Sequence, residues 1–180
     1  KKLVLASKSS AAHSTLYLNN HSSCSFKKRN PLSVYFQNQI NEGLKIIEKK
    51  IINDKNFDSI TTSHNGYQKR YGYIHKRSIK LIKKEKIFYG MDNLIKTKNS
   101  KNVSYGIRFH IYPGIRIVKT KNSRSALLSL KNGEGWRFNC QNMEILIEKG
   151  FYLGNRNEII NNENIFISGM TNGENKNIDW

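Results

Sequence analysis

Three phrases in the sequence set an imidazole beside residues that suit a β-strand or a tight turn. They are Ala11-Ala12-His13-Ser14-Thr15-Leu16, Ser63-His64-Asn65-Gly66-Tyr67 and Arg108-Phe109-His110-Ile111-Tyr112-Pro113-Gly114. Imidazole titrates near neutral pH, so it shuttles protons there, and it is also the commonest metal ligand. The chain has only five histidines, and three of them fall in these phrases. General acid–base catalysis and metal ligation are therefore both open. Arg108, His110 and Tyr112 add a third option. Alternate residues of a strand share a face, so these three could grip an anionic sugar.

Each histidine also has a purely structural reading. His13 could be a half-buried strand residue with a satisfied hydrogen bond, and His64 could cap the turn at Asn65-Gly66. His110 could belong to a polar outer face. His75, beside Lys76-Arg77, reads as a solvated strand face, and His21 as loop.

The elements that must position these residues are mostly strands. From Gly106 to Tyr112, Ile107, Phe109 and Ile111 alternate with Arg108, His110 and Tyr112, which predicts one buried and one polar face. Pro113-Gly114 ends the strand. Ser125–Leu130 and Trp136–Cys140 flank Lys131–Gly135, whose Asn132-Gly133 pair is a strong hairpin signal. Trp136 and Phe138 read as core. Tyr71–Leu81 and Lys86–Tyr89 form a second pair around a turn at Lys83–Glu85. Lys1–Leu5, Thr15–Leu18, Leu32–Phe36 and Ile159–Ile167 are further strands. Gln39–Ile52 carries a helical stripe of Ile40, Leu44, Ile47 and Ile51. Its β-branched residues and Gly43 favour strand. The Asn-rich segments 155–164 and 171–177 read as loops. Many short strands punctuated by turns point to an all-β, antiparallel sandwich.

At 180 residues with 37% hydrophobic content, the chain makes one domain with a real core. It reads as a piece of a longer protein. No apolar run approaches the roughly 20 residues of a membrane-spanning helix. The net charge of +18 fits an anionic partner, nucleic acid or an acidic polysaccharide, and equally a compositional bias toward Lys, Asn and Ile. The lysines are scattered among strand residues, however, and no nucleic-acid motif accompanies them, so no specific nucleic-acid partner is expected. Cys24 and Cys140 lack metal-site spacing and leave a disulfide or two free thiols open.

Five phrases in order resemble the C-terminal domain of heparinase II/III-like polysaccharide lyases. They are Ala11–Leu16, Ser63–Tyr67, His75-Lys76-Arg77, Arg108–His110 with Pro113-Gly114, and Asn132–Phe138. The resemblance runs over nearly all of residues 1–180. It implies the β-sandwich half of an α-toroid plus β-sandwich enzyme, with the N-terminal helical toroid of the same protein as its partner. Such enzymes cleave acidic, uronic-acid-containing polysaccharides, glycosaminoglycans among them, by β-elimination. The chemistry needs a neutralised uronate carboxylate, a base for the α-proton and an acid for the departing oxygen. In the family, the proton-handling Tyr and the carboxylate-neutralising Asn or His sit mainly on the toroid. The sandwich adds a cleft histidine and, in characterised members, a structural metal site. The resemblance maps His13 onto that histidine, as catalytic base or as metal ligand. It sets His64 near the metal, with Asn20 where the family often has Asp. One divalent ion is implied, zinc on the imidazoles or calcium with an Asn oxygen. The alternative is a glycan-binding or structural sandwich module without chemistry.

Overall fold

The alternation seen in the sequence sets the centre of the molecule. The computed structural model describes residues 7–26, 40–154 and 158–180. Strands β1 (Leu16–Leu18), β2 (Ser25–Phe26), β3 (Ile40–Glu42), β4 (Ile46–Asn53) and β5 (Phe57–His64) lead to a short helix, α1 (Gln68–Tyr71). Then follow β6 (Tyr73–Ile82), β7 (Ile87–Lys96), β8 (Ser104–His110), β9 (Arg116–Lys119) and β10 (Ser125–Ser129). Strands β11 (Gly135–Asn139), β12 (Leu146–Tyr152), β13 (Ile160–Met170) and β14 (Lys176–Asp179) complete the described chain. The pairings are antiparallel. One large sheet has the order β1-β8-β13-β12 and the other β14-β7-β6-β5-β4, with smaller sheets β11-β10-β9 and β2-β3.

The core lies between the layers. Leu16, Leu18, Tyr105, Ile107, Ile165 and Ile167 come from the first large sheet. Tyr73, Leu94 and Ile178 come from the second, and Ala126 from β10. Burying each large apolar side chain contributes roughly 1.5–3 kcal/mol. Phe109 joins the layers, its ring centroid 4.9 Å from Phe138 and 4.7 Å from Trp180. Strand β8 is covered on both faces. A Cβ at Gly106 would lie 2.6 Å from the Tyr17 ring, so only glycine lets Tyr17 pack there. The all-β sandwich expected from the sequence is the fold observed.

Local differences have local causes. The first described strand begins at Leu16, so His13 and Thr15 precede it. Tyr71 belongs to α1, which ends at Gly72 with φ +76, and β6 then begins at Tyr73. Gln39–Ile52 is strand over Ile40–Glu42 and from Ile46 onward, interrupted at Gly43–Lys45; Gln39 lies outside the described residues. Lys1–Leu5 and Leu32–Phe36 also lie outside them. Asn161–Asn164 lie in β13 rather than in a loop. Asn162 and Asn164 are buried, and the Asn162 amide donates to Ile111 O (2.9 Å) and to Asn164 Oδ1 (3.3 Å). Gly150 opposite them leaves room, since a Cβ there would meet Asn164 Nδ2 at 2.3 Å. Lys176 and Asn177 pair with β7 in the same way. Trp136 is not core: it is 38% exposed and tilts against Phe88. Both cysteines are free thiols. Among the described residues, no helix is long and apolar enough to cross a membrane.

Candidate functional site

The segment carrying His13 is fastened to both large sheets. A 3-10 turn, Ser10–Ala12, opens it, with Ser10 N–H donating to Ser22 Oγ and Ser23 N–H to Ser10 Oγ (3.0 and 3.1 Å). His110, at the end of β8, donates from its backbone N–H to Ser14 Oγ (3.0 Å) and from Nε2 to Ala11 O (3.1 Å). On the β6 side, Arg77 Nη1 donates to the Ser14 carbonyl. His13 lies between these anchors, extended (φ −125°, ψ 155°) and exposed. Burial lowers the His110 pKa. The carbonyl of Ala11 counters this, and the charges of Arg108 and His13 add to it.

Behind Arg77 lies a buried carboxylate. Asp92 is fully buried and accepts four hydrogen bonds. His75 Nε2 (2.6 Å) and Arg77 Nε (2.8 Å) reach Oδ1, while Arg77 Nη2 (2.7 Å) and Trp180 Nε1 (2.8 Å) reach Oδ2. A buried charge costs several kcal/mol unless it is paired and hydrogen-bonded. Burial pulls the Asp92 pKa up, but the bonds from His75 and Arg77 and the Arg77 charge outweigh it and bring the value down to about 2.

The donors set the tautomers. Gly66 N–H donates to His64 Nδ1 (3.1 Å), so neutral His64 carries its proton on Nε2. That proton points to His75 Nδ1 at 3.2 Å, and His75 donates from Nε2 to Asp92. Burial, with the neighbouring His75 adding to it, lowers the His64 pKa to about 4. The chain Gly66, His64, His75, Asp92 is thus satisfied without an extra proton, and one more at His75 Nδ1 would set two N–H groups face to face.

The structure brings His110 to the His13 segment and engages the other sequence-derived candidates elsewhere. The sequence places His75 on a solvated face; it is instead 3% exposed. Its neighbour Lys76 faces the other side and pairs with Glu48 (2.8 Å). Arg108 bonds Glu148 (2.9 Å) and lies over the rings of Tyr17 and Phe166 (5.1 and 4.7 Å). Tyr112, beyond the end of β8, is 61% exposed and meets Tyr152 edge-on at 5.2 Å. Asn20 is an exposed turn residue with φ 57°. His21 accepts or donates at Nδ1 to Tyr71 Oη (2.6 Å).

These positions do not fit the implied metal. Both ring nitrogens of His64 are engaged, and Asn20 lies in a turn. Among the described residues, no three His, Cys, Asp or Glu side chains are placed to hold an ion.

Sequence reasoning missed Asp92 and Trp180. One signal was present. Gly90, Asp92 and Leu94 alternate along β7, and Arg77 pairs in register with Asp92. Trp180, which completes the carboxylate's shell, gave no local sign.

An all-β sandwich with a histidine-bearing segment held across its layers defines the class of the fold. A family model described as "Heparinase II/III-like, C-terminal" matches residues 3–180, and the chain belongs to that family. The crystal structure of heparan sulfate lyase HepC from Pedobacter heparinus is similar, with a TM-score of 0.74 at 19% identity. The match covers 99% of this chain and 25% of that one. A Heparinase III-BT4657 gene product has a TM-score of 0.69 at 14% identity, covering 96% and 24%. The chain therefore spans about a quarter of the length of these solved structures. No curated protein matches its sequence.

Proposed function

We propose that the chain is the sandwich portion of a lyase that cleaves uronic-acid-containing polysaccharide by β-elimination, with His13 presented to the substrate cleft. Membership in a heparinase-like family and the likeness to a heparan sulfate lyase support the reaction class. The observation that carries the site is the exposed His13 imidazole on a segment anchored from both sheets. In the reaction a base removes the proton α to the uronate carboxylate and charge builds on that carboxylate. The glycosidic oxygen then leaves with a proton, and a ring double bond forms. His13 would move a proton or neutralise the carboxylate. The remaining proton-handling groups would come from a helical domain of the same polypeptide. Tyr112 offers an exposed aromatic face to a sugar ring, and the +18 charge draws in a polyanion. Arg108 is less available, being held by Glu148.

The test is the full-length protein incubated with glycosaminoglycans and alginates, read by the ultraviolet absorbance of unsaturated uronate. His13→Ala should lower kcat by roughly 100-fold or more, the range expected for a lost acid–base group. Absence of product from folded, full-length protein on the whole panel overturns the reading. Glycan binding without product would favour the non-catalytic module.

A further inference from the structure

We propose that His110 and Arg77 are positioning residues that clamp the Ala11–Ser14 segment from opposite sheets and so set where the His13 imidazole points. The inference rests on the cleft role proposed for His13.

The contacts bracket His13 on both sides. His110 holds the carbonyl two residues before it and the hydroxyl one residue after it. Arg77 holds the Ser14 carbonyl. Strands β8 and β6 belong to different sheets, so the segment bridges two layers. Neither clamp is free to move. The Arg77 fork is locked onto Asp92 by Nε and Nη2 and lies over the Trp180 ring at 5.4 Å. His110 is held in the ladder opposite Asn164.

The same contacts argue against a substrate-gripping role for His110. Its Nε2 proton is committed to Ala11 O. Arg77 spends N–H groups on Asp92 and on Ser14, and a guanidinium has five. An exposed segment ordered this way supplies the fixed geometry that proton transfer requires, where a 1 Å misplacement costs about 100-fold.

The experiment uses full-length protein and three variants, His110→Ala, His110→Gln and Arg77→Lys. Glutamine can still donate toward Ala11 O. Lysine keeps the charge and loses the fork. Two readouts are taken: steady-state kinetics on the polysaccharide that wild type cleaves best, and hydrogen exchange at the amides of residues 12–15 against those of β13. The expected result for His110→Ala is kcat lower by about 10- to 100-fold, KM within about 3-fold, and faster exchange at residues 12–15 alone. His110→Gln should recover most of both, and Arg77→Lys should speed the same exchange. A raised KM with kcat and exchange unchanged would make His110 a substrate contact and overturn the proposal. So would unchanged exchange in all three variants. If wild type has no lyase activity, the proposed function falls, and the exchange data alone still decide the clamp. If His110→Ala does not fold, exchange in the two conservative variants decides the clamp in the same way.

Discussion

His64 and His75 face each other in direct register on β5 and β6, with Nε2 of the first 3.2 Å from Nδ1 of the second. Their rings meet edge-on at 5.1 Å. The pair passes a directional series of hydrogen bonds from the Gly66 amide to the Asp92 carboxylate, and it has no place for another proton.

Stability should therefore fall as the pH drops through the weakly acidic range. The folded His64 pKa is about 4, against about 6.5 in an unfolded chain. The unfolded chain binds the proton first, so stability is whole above about pH 6.5 and declines until about pH 4. The shift corresponds to at most about 3–4 kcal/mol, less the screening at a half-buried ring. Asp92 acts in a separate window. Its folded pKa of about 2 lies below the unfolded value near 3.9, so its contribution is lost only between about pH 4 and pH 2. Urea denaturation at pH 7, 5.5 and 4 measures the first slope. His64→Gln should flatten it, and an equally steep slope in that variant would refute the assignment.

Asp92→Asn should destabilise the fold strongly. The amide carries its own donor, so at least one of His75, Arg77 and Trp180 would face N–H against N–H, and the Arg77 charge would lose its partner. Breaking one side of a buried pair costs about 3–5 kcal/mol. Chemical denaturation at pH 7 reads this directly, and a loss below about 1 kcal/mol, the scale of an exposed ion pair, would show that the network is solvated.

Gly90→Ala tests the Trp180 contact. A Cβ at position 90 would lie 2.2 Å from the Trp180 ring, which is packed against Phe109. Overpacking of this kind costs about 1–3 kcal/mol. The indole should swing away and lose its bond to Asp92. Tryptophan emission should shift to the red, and an unshifted spectrum with unchanged stability would count against the packing.

How much of this was legible in the sequence depended on the range of each interaction. The β8 alternation and the Asn132-Gly133 hairpin are local signals, and strand and hairpin both formed, although β8 ends at His110 and is covered on both faces rather than on one. At His75, composition and period point opposite ways, and period sets the face. Lys76 made the stretch look solvated, but alternation puts His75 and Arg77 on the opposite face from Lys76. Asn162 and Asn164 look like loop residues by type. They lie in strand, where the Asn162 amide donates to the Ile111 carbonyl and to Asn164 Oδ1, while Asn162 Oδ1 is buried with no partner among the described residues. The Asp92 shell joins residues as far apart as Asp92 and Trp180, and no local pattern encodes such a pairing. The His13 phrase suggests a strand, but His13 precedes β1, which begins at Leu16. The bonds that reach its segment come from His110 and Arg77, far away in the chain.

Tyr112 allows charge attraction to be separated from contact. A polyanion drawn by net charge alone binds less tightly as salt screens the field, with a Debye length of about 8 Å at 0.15 M. An aromatic face packed on a sugar ring loses little to salt, because its contribution is burial of apolar surface. Tyr112→Ala removes that face while leaving Tyr152, its edge-on neighbour, in place. If Tyr112 contacts the glycan, the variant should weaken binding of an acidic oligosaccharide by about 5-fold, near 1 kcal/mol, at both low and physiological salt. Titration calorimetry at two ionic strengths checks this. A loss seen only at low salt would mean that the change perturbs the surrounding charge. No loss at either salt would place the glycan away from the end of β8, and the cleft would then have to be sought on the other side of the His13 segment.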